Sequence, residues 1–161
     1  MEIIYKNRKG KLFTIIFDKE YSHLILSQKW RVMEQGSSAY AYTDIMVNGV
    51  KVLTISMHRL IMGVKNSKSL IDHINHNGLD NRIINLRICN TSQNMMNKKP
   101  RGNSKFIGVH YEKNKKKYVA YITVDRTRKK IGMFECEYCA AMARDVEAKK
   151  LHGDFANLNF K

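Results

Sequence analysis

Apolar residues in this chain come in short bursts broken by turn-forming or charged residues. "KLFTIIF" and "KVLTISM" are rich in β-branched and aromatic side chains, which favours strands. "RKG" and "VNGV" carry turn signals, and Asn48-Gly49 suits a tight hairpin. "DKEYSHLILSQKW" has room for one helical turn before Trp30. Residues 1 to about 57 thus read as short strands and turns without a catalytic cluster, and His23 reads as a surface or packing residue. Further on, His58 to Gly63 reads as a short helix stopped by glycine. "SLIDHI" and "NLRIC" read as two strands around a long polar stretch, and Thr91 can cap a helix through "SQNMMNKK".

"KKPRGNS" (98–104) contains the chain's one proline and reads as a basic linker between residues 1–97 and 105–161. Beyond it, "FIGVHYE", "KYVAYITV" and "KKIGMF" predict three strands joined by "KNKK" and "DRTR". A helix follows from about Cys136 to Lys150, with Cys139, Met142, Ala143 and Val146 at helical spacing as its apolar face and Gly153 closing it. Strand alternation turns Ile107, Val109, Tyr111, Tyr118, Ala120, Ile122, Val124, Ile131 and Met133 toward the helix. It leaves Gly108, His110, Glu112, Val119, Tyr121, Thr123, Arg128 and Lys130 on the other face. The expected product is an α+β chain: a β-rich N-terminal region, a strand–loop–strand–helix segment centred on 58–97, and a three-stranded antiparallel sheet packed on one helix. The last core is small, so its stability is expected to be modest.

Charge changes this picture. Lysine and arginine total 29 against 14 acids, a formal charge of +15 over 161 residues. Between Lys98 and Lys130 there are twelve basic residues and two acids. Such a surplus seeks a polyanion. The basic run lacks the long amphipathic helix of a membrane-surface segment, so nucleic acid is the expected partner. No apolar run approaches the roughly 18 residues of a membrane span, and the start of the chain lacks the apolar middle of a signal peptide. A cytoplasmic location, in a bacterial or phage-infected cell, is therefore expected, with no membrane and no small-molecule substrate. Three cysteines argue against a disulfide framework. Cys136, Cys139 and His152 follow C-x2-C-x12-H, half of a zinc-finger spacing with no second histidine after it, and read better as small core or cap residues.

The chemistry concentrates in "IDHINHNGLDNRIINLRICNTSQN", residues 71–94, with two histidines and six asparagines. Phosphodiester hydrolysis needs a base for water and positive charge for the phosphate. A neutral histidine meets the first need at physiological pH. A hard divalent cation meets the second, and it takes oxygen ligands from aspartate and asparagine. Asp72 and His73 alternate across a strand and can serve one site only if the strand ends there and its twist or the following loop lets both reach it. Asn94 falls in the first turn of the following helix, whose N-terminus adds modest attraction for phosphate.

"HRLIMG", "DHINHNGLDNRIINLR" and "TSQN" resemble the HNH endonuclease family, in particular its phage and intron-encoded homing branch. The resemblance implies a ββα-metal nuclease module. It implies His73 as general base, Asp72 and Asn94 as ligands of one Mg2+ or Mn2+, and Asn85 as the residue bracing the loop and orienting the base. His76 is a rival base in the turn from Asn75 to Gly78. His58 and Arg59 are expected beneath the site, with Arg82 and Arg87 touching phosphate or tying loop to strand. Residues 105–161 resemble the plant APETALA2-type DNA-binding domain, through Gly108-Val109, Gly132, Phe134, Ala140-Ala141, Ala143, Asp145, Gly153 and Leu158-Asn159-Phe160. That resemblance implies double-stranded DNA against Gly108, His110, Glu112, Tyr121, Thr123, Arg128 and Lys130. Gly108 would admit the DNA backbone closely, and Lys98, Lys99 and Arg101 would follow it between modules. Cys136 stands where a threonine or serine commonly caps the helix, so a weaker cap is expected. The tryptophans and most strand arginines of the plant domains are missing. The expectation is a site-directed DNA endonuclease, monomer or weak dimer, that nicks one strand per active site. A repressor-like DNA-binding protein without activity and an RNA-directed nuclease are the rivals.

Overall fold

A computed structural model describes residues 1–66, 68–96, 104–125 and 127–160. The chain is mixed α and β and divides into two compact units, Met1–Asn90 and Thr91–Lys161.

In the first unit, β1 (Glu2–Lys6) and β2 (Leu12–Ile16) form an antiparallel hairpin. Strict alternation along β2 buries Phe13 and Ile15, and Phe17 continues the set. A short 3-10 turn leads into α1 (Ser22–Leu26), which buries Ile25. The indole of Trp30 donates to the Ile25 carbonyl at 2.8 Å. A second sheet runs β3 (Arg31–Gln35), β4 (Ser38–Val47), β5 (Val50–Ser56), in that spatial order. Asn48 and Gly49 both take positive φ (50° and 76°), the left-handed pair a two-residue hairpin needs. α2 (Met57–Ile61) follows and stops before Gly63, at φ 63°. β6 (Leu70–His73) and β7 (Leu86–Cys89) close the unit as an antiparallel ribbon with Asp72 opposite Arg87 and His73 opposite Leu86. One core gathers Phe13, Ile15, Phe17, Ile25, Ala41, Met57, Ile61, Leu79 and Leu86. The polar stretch joins this core through Leu79 and Leu86, with Ile71 packed against it.

The second unit opens with α3 (Thr91–Met96). β8 (Val109–Glu112), β9 (Lys117–Val124) and β10 (Thr127–Phe134) form an antiparallel sheet in the order β10-β9-β8, and α4 (Glu137–His152) packs on it. Its core joins Phe106, Val109 and Ala120 to Ala140 and Ala141, with Tyr118, Ile131 and Phe134 at the margin.

Three expectations fail here, each for a local reason. α4 buries Ala140, Ala141, Arg144, Asp145 and Ala148, whereas Met142 and Val146 are 60% and 70% exposed and Cys139 is exposed. The expected apolar face is the outer one. Small alanines let the helix approach the sheet, and the larger apolar residues do not fit there. The polar pair on the buried face is bonded internally, although the buried Nε of Arg144 has no hydrogen-bond partner among the described residues. Arg144 donates to Asp145 at 3.1 Å and to the Asn157 carbonyl, and Asp145 accepts from the backbone of Asn159 and Phe160 at 2.6 and 2.9 Å. Second, a β-bulge between Lys130 and Gly132 shifts the register of β10, so Met133 pairs with Val119 and Phe134, not Met133, joins the core. Third, Val119 is buried despite its outward position, between His110 and Met133 on the neighbouring strands.

Candidate active site

The 71–94 stretch folds as β6, a pinned loop, β7 and the start of α3. β6 ends at His73, as the reading of Asp72 and His73 as one site requires. They still occupy opposite faces of the ribbon. His73 shares its face with Leu86 and Ile71, on the core side. Asp72 lies opposite Arg87, whose Nε and Nη2 both donate to Asp72 Oδ2, at 2.9 and 2.7 Å. Arg87 is thus the tie from β7, and its guanidinium is itself largely buried.

Hydrogen bonds hold the loop throughout, because its asparagines cap their own turns. Asn75 Oδ1 accepts from the backbone of Asn77, and Asn77 Oδ1 accepts from that of Leu79. Asn85 bridges the two ends: its Oδ1 accepts from Asn75 N at 2.9 Å, its Nδ2 donates to the Asp80 carbonyl at 2.7 Å, and its own carbonyl accepts from Ile74 N at 2.9 Å. Two buried residues that sequence reasoning did not single out sit at the centre of the loop, Asp80 and Asn81, at 2% and 0% exposure. Asp80 accepts from Asn75 Nδ2 and, through both oxygens, from the Arg82 fork at 2.8 and 2.6 Å. Arg82 holds the Asp80 carboxyl below its usual range, first through these bonds. The signal was present as an acid within a run of Asx residues, but acids in turns are common.

The N-terminal region, which showed no catalytic cluster, supplies the walls. Ile16 N donates to the Leu79 carbonyl and Asn81 N to the Ile16 carbonyl, at 2.8 and 2.7 Å, so the loop is clamped onto β2. Asp18 Oδ2 accepts from Ile83 N at 2.7 Å. Gly78 lies directly on β4: a Cβ there would meet the Ala39 carbonyl oxygen and the Tyr40 ring at 2.5 Å. The Tyr40 ring in turn lies 5.9 Å from His58 and 5.7 Å from His73, and the two imidazoles meet edge to face at 5.0 Å.

This enclosure decides the charge of the imidazoles. Burial pushes His73 below the usual histidine range, while the Asn81 side chain and the charges of Asp72 and Asp80 pull the other way. Burial pushes His58 further, to about 3, helped by the charges of His73 and Arg59. His58 Nε2 meets Ser56 Oγ at 3.0 Å, and its buried Nδ1 has no hydrogen-bond partner among the described residues. Arg59 points away from the imidazoles, donating to the carbonyls of Ser69, Val64 and Asn66 and fixing the entry to β6. His76, the rival base, sits at φ 62° in the turn, its N–H bonded to the His73 carbonyl.

Asn94 is exposed in the first turn of α3, within the second unit. Asp72 belongs to the first unit. Each of the two side chains carries an oxygen donor of the kind a hard divalent ion takes. Among the described residues no three His, Cys, Asp or Glu side chains group to hold a metal, so the Cys136, Cys139 and His152 spacing does not assemble into a zinc site. Cys136 instead caps α4, its sulfur accepting from Cys139 N at 3.4 Å, and Cys139 is exposed rather than packed.

No protein-family model matches the chain. A protein of Acanthamoeba polyphaga mimivirus is 33% identical over 100 residues, which is 62% of this chain and 52% of that protein. That relative is named an uncharacterized HNH endonuclease. The chain spans about half of the relative's length.

The second unit gathers three of the expected contact residues on the sheet's outer face. His110 stacks on Tyr121 at 5.1 Å and 11° between planes. The Arg128 guanidinium also lies over this ring, 3.8 Å from its centroid, a cation–π contact. Arg128 Nη2 also meets His110 Nδ1 at 3.4 Å. Thr123 and Lys130 are exposed beside them, and Glu112 lies 3.9 Å from Lys115. Gly108 has an internal explanation. It takes φ 74°, and a Cβ would meet the Tyr121 carbonyl at 2.5 Å and the Arg144 side chain at 3.0 Å. Lys98, Lys99 and Arg101 lie outside the described residues. No helix among the described residues is long and apolar enough to cross a membrane.

Proposed function

We propose that the chain is a DNA endonuclease of HNH type, in which His73 is the general base and the second unit holds double-stranded DNA. The observation that carries the reading is a neutral, enclosed imidazole at the end of β6, beside a carboxylate locked by Arg87 and followed by a loop held by backbone hydrogen bonds. The relative's name supports the same class.

His73 in its neutral form accepts the proton of the attacking water. Burial keeps it neutral, and the Tyr40 and His58 rings limit its rotation. Asp72 and Asn94 would hold one Mg2+ or Mn2+. When bound, such an ion supplies positive charge to the phosphate and the leaving 3′ oxygen. Arg87 orients Asp72, and Asn85 with Asp80 keeps the loop from collapsing onto the base. The outer face around Tyr121 and Arg128 lies against the duplex, as the APETALA2 resemblance suggests, with Lys130 on phosphate. Each chain carries one set of these groups, so it nicks one strand.

The test is conversion of supercoiled plasmid to nicked circle in Mg2+ or Mn2+. Wild type nicks, and His73→Ala loses at least about a hundredfold in rate, the scale of a lost general base. Equal rates in both proteins overturn the assignment of His73. An inert wild type that still binds duplex leaves a DNA-binding protein, and tighter binding of RNA overturns the duplex reading.

A further inference from the structure

The chain has three thiols, and the fold sorts them sharply. Cys89 is buried at 5% exposure in β7. Cys136 and Cys139 are both exposed, one turn apart, at the start of a sixteen-residue helix. The proposed nuclease chemistry uses neither of them, and among the described residues no metal-holding group of His, Cys, Asp or Glu includes them.

We propose that Cys136 and Cys139 form a dithiol site that undergoes exchange with small-molecule disulfides, Cys136 attacking and Cys139 resolving. The geometry carries the assignment. Cys136 is the N-cap, with extended backbone (φ −108°, ψ 132°), which places its sulfur over the open end of the helix. There it accepts from Cys139 N at 3.4 Å. Cys139 lies three residues on, in the first turn, so both sulfurs are on the same exposed end. The electrostatics give the pair an order. The Cys139 backbone N–H, then the Cys139 thiol, hold Cys136 below the usual thiol range. The same contact with Cys136, then desolvation, pushes Cys139 up. A lowered thiolate at a helix N-terminus beside a protonated partner is the arrangement that makes C-x-x-C pairs reactive. Burial first, then the charge of Asp72, pushes Cys89 up, so it stays a thiol.

The steps balance. The Cys136 thiolate attacks one sulfur of a disulfide R–S–S–R, forming a mixed disulfide and releasing R–S−, which takes a proton from solvent. Cys139 then loses its proton and attacks the Cys136 sulfur. The product is the Cys136–Cys139 disulfide and a second R–SH. The two cysteines are oxidised and the small disulfide is reduced.

The site stands independently of the nuclease reading, and its test is chemical. The full-length reduced protein is incubated with excess oxidised glutathione and followed by mass spectrometry of the intact chain and its peptides. The expected product is two hydrogens lighter, with 136 joined to 139 and Cys89 free. Cys139→Ser should stop at one glutathione adduct, on Cys136. Cys136→Ser keeps a capping oxygen and therefore the helix, and its adduct on Cys139 should form at least about tenfold more slowly, given its higher thiol pKa. Circular dichroism checks that both variants are folded. First modification at Cys139 or Cys89, similar rates at all three, or a wild type that holds the adduct without closing the disulfide, would each overturn the proposal.

Discussion

His58 shows how far a single residue's surroundings can be turned into a measurement. In the unfolded chain its imidazole takes a proton near pH 6.5, but in the folded unit it stays neutral until about pH 3, because its ring is desolvated against His73 and Tyr40. The folded state thus binds fewer protons across that interval. The stability is fully present above about pH 6.5 and is lost as pH falls toward 3, at up to about 1.4 kcal/mol per pH unit for one such group. His73 is shifted in the same direction and adds to the slope. His58→Phe retains a ring edge against His73 and removes the titration. Urea midpoints measured from pH 7 to 4 should fall less steeply for this variant than for wild type. Parallel acid limbs would show that His58 is not desolvated as its surroundings imply. Asp80 marks the opposite limit of residue-level reading. Nothing in its local sequence separates it from an ordinary turn acid, and its burial depends on β2, some 65 residues earlier in the chain, as the span between Asp18 and Ile83 illustrates.

At the scale of elements, what the sequence carried was local. Asn48-Gly49 marks its hairpin because only small or polar residues accept positive φ at both positions. "SLIDHI" and "NLRIC" show their strands through β-branched residues, and Gly63 and Gly153 end their helices. The face of α4 was not legible. Hydropathy ranks Met142 and Val146 above alanine, but a helix lying close on a sheet selects small residues, and its buried Arg144 and Asp145 bond to residues far along the chain. The bulge in β10 was equally hidden, since a one-residue register shift leaves no mark in composition. Gly78 is where an element-level contact becomes testable. Its Cα faces the Ala39 carbonyl and the Tyr40 ring too closely for a methyl group, and one of those obstacles is backbone. Gly78→Ala should destabilise the first unit by about 1–3 kcal/mol, the usual range for overpacking. Because the same loop follows directly on His73, the proposed plasmid nicking should fall with it. A variant with wild-type urea midpoint would mean that the loop is not held against β4.

For the whole molecule, a charge of +15 means that the proposed affinity for duplex should be strongly salt-dependent, whatever the sequence bound. The enclosed imidazoles lie in the first unit and the stacked His110, Tyr121 and Arg128 in the second, so the proposed cutting and holding fall to different units. Arg128 and Lys130 are exposed on one strand and belong to neither core. Changing both to alanine should weaken duplex binding and make the plot of log affinity against log salt shallower by about 1–2, since each lost phosphate contact removes roughly 0.9 from the slope. His73→Ala, buried in the other unit, should leave affinity and slope as in wild type while abolishing nicking. Fluorescence anisotropy on one labelled duplex at four salt concentrations reads both variants. If the double variant keeps the wild-type slope, the sheet face is not the one against phosphate, and the charge that binds DNA must lie elsewhere on the chain. If His73→Ala changes the slope instead, holding and cutting share one surface, and the division of labour between the units is wrong.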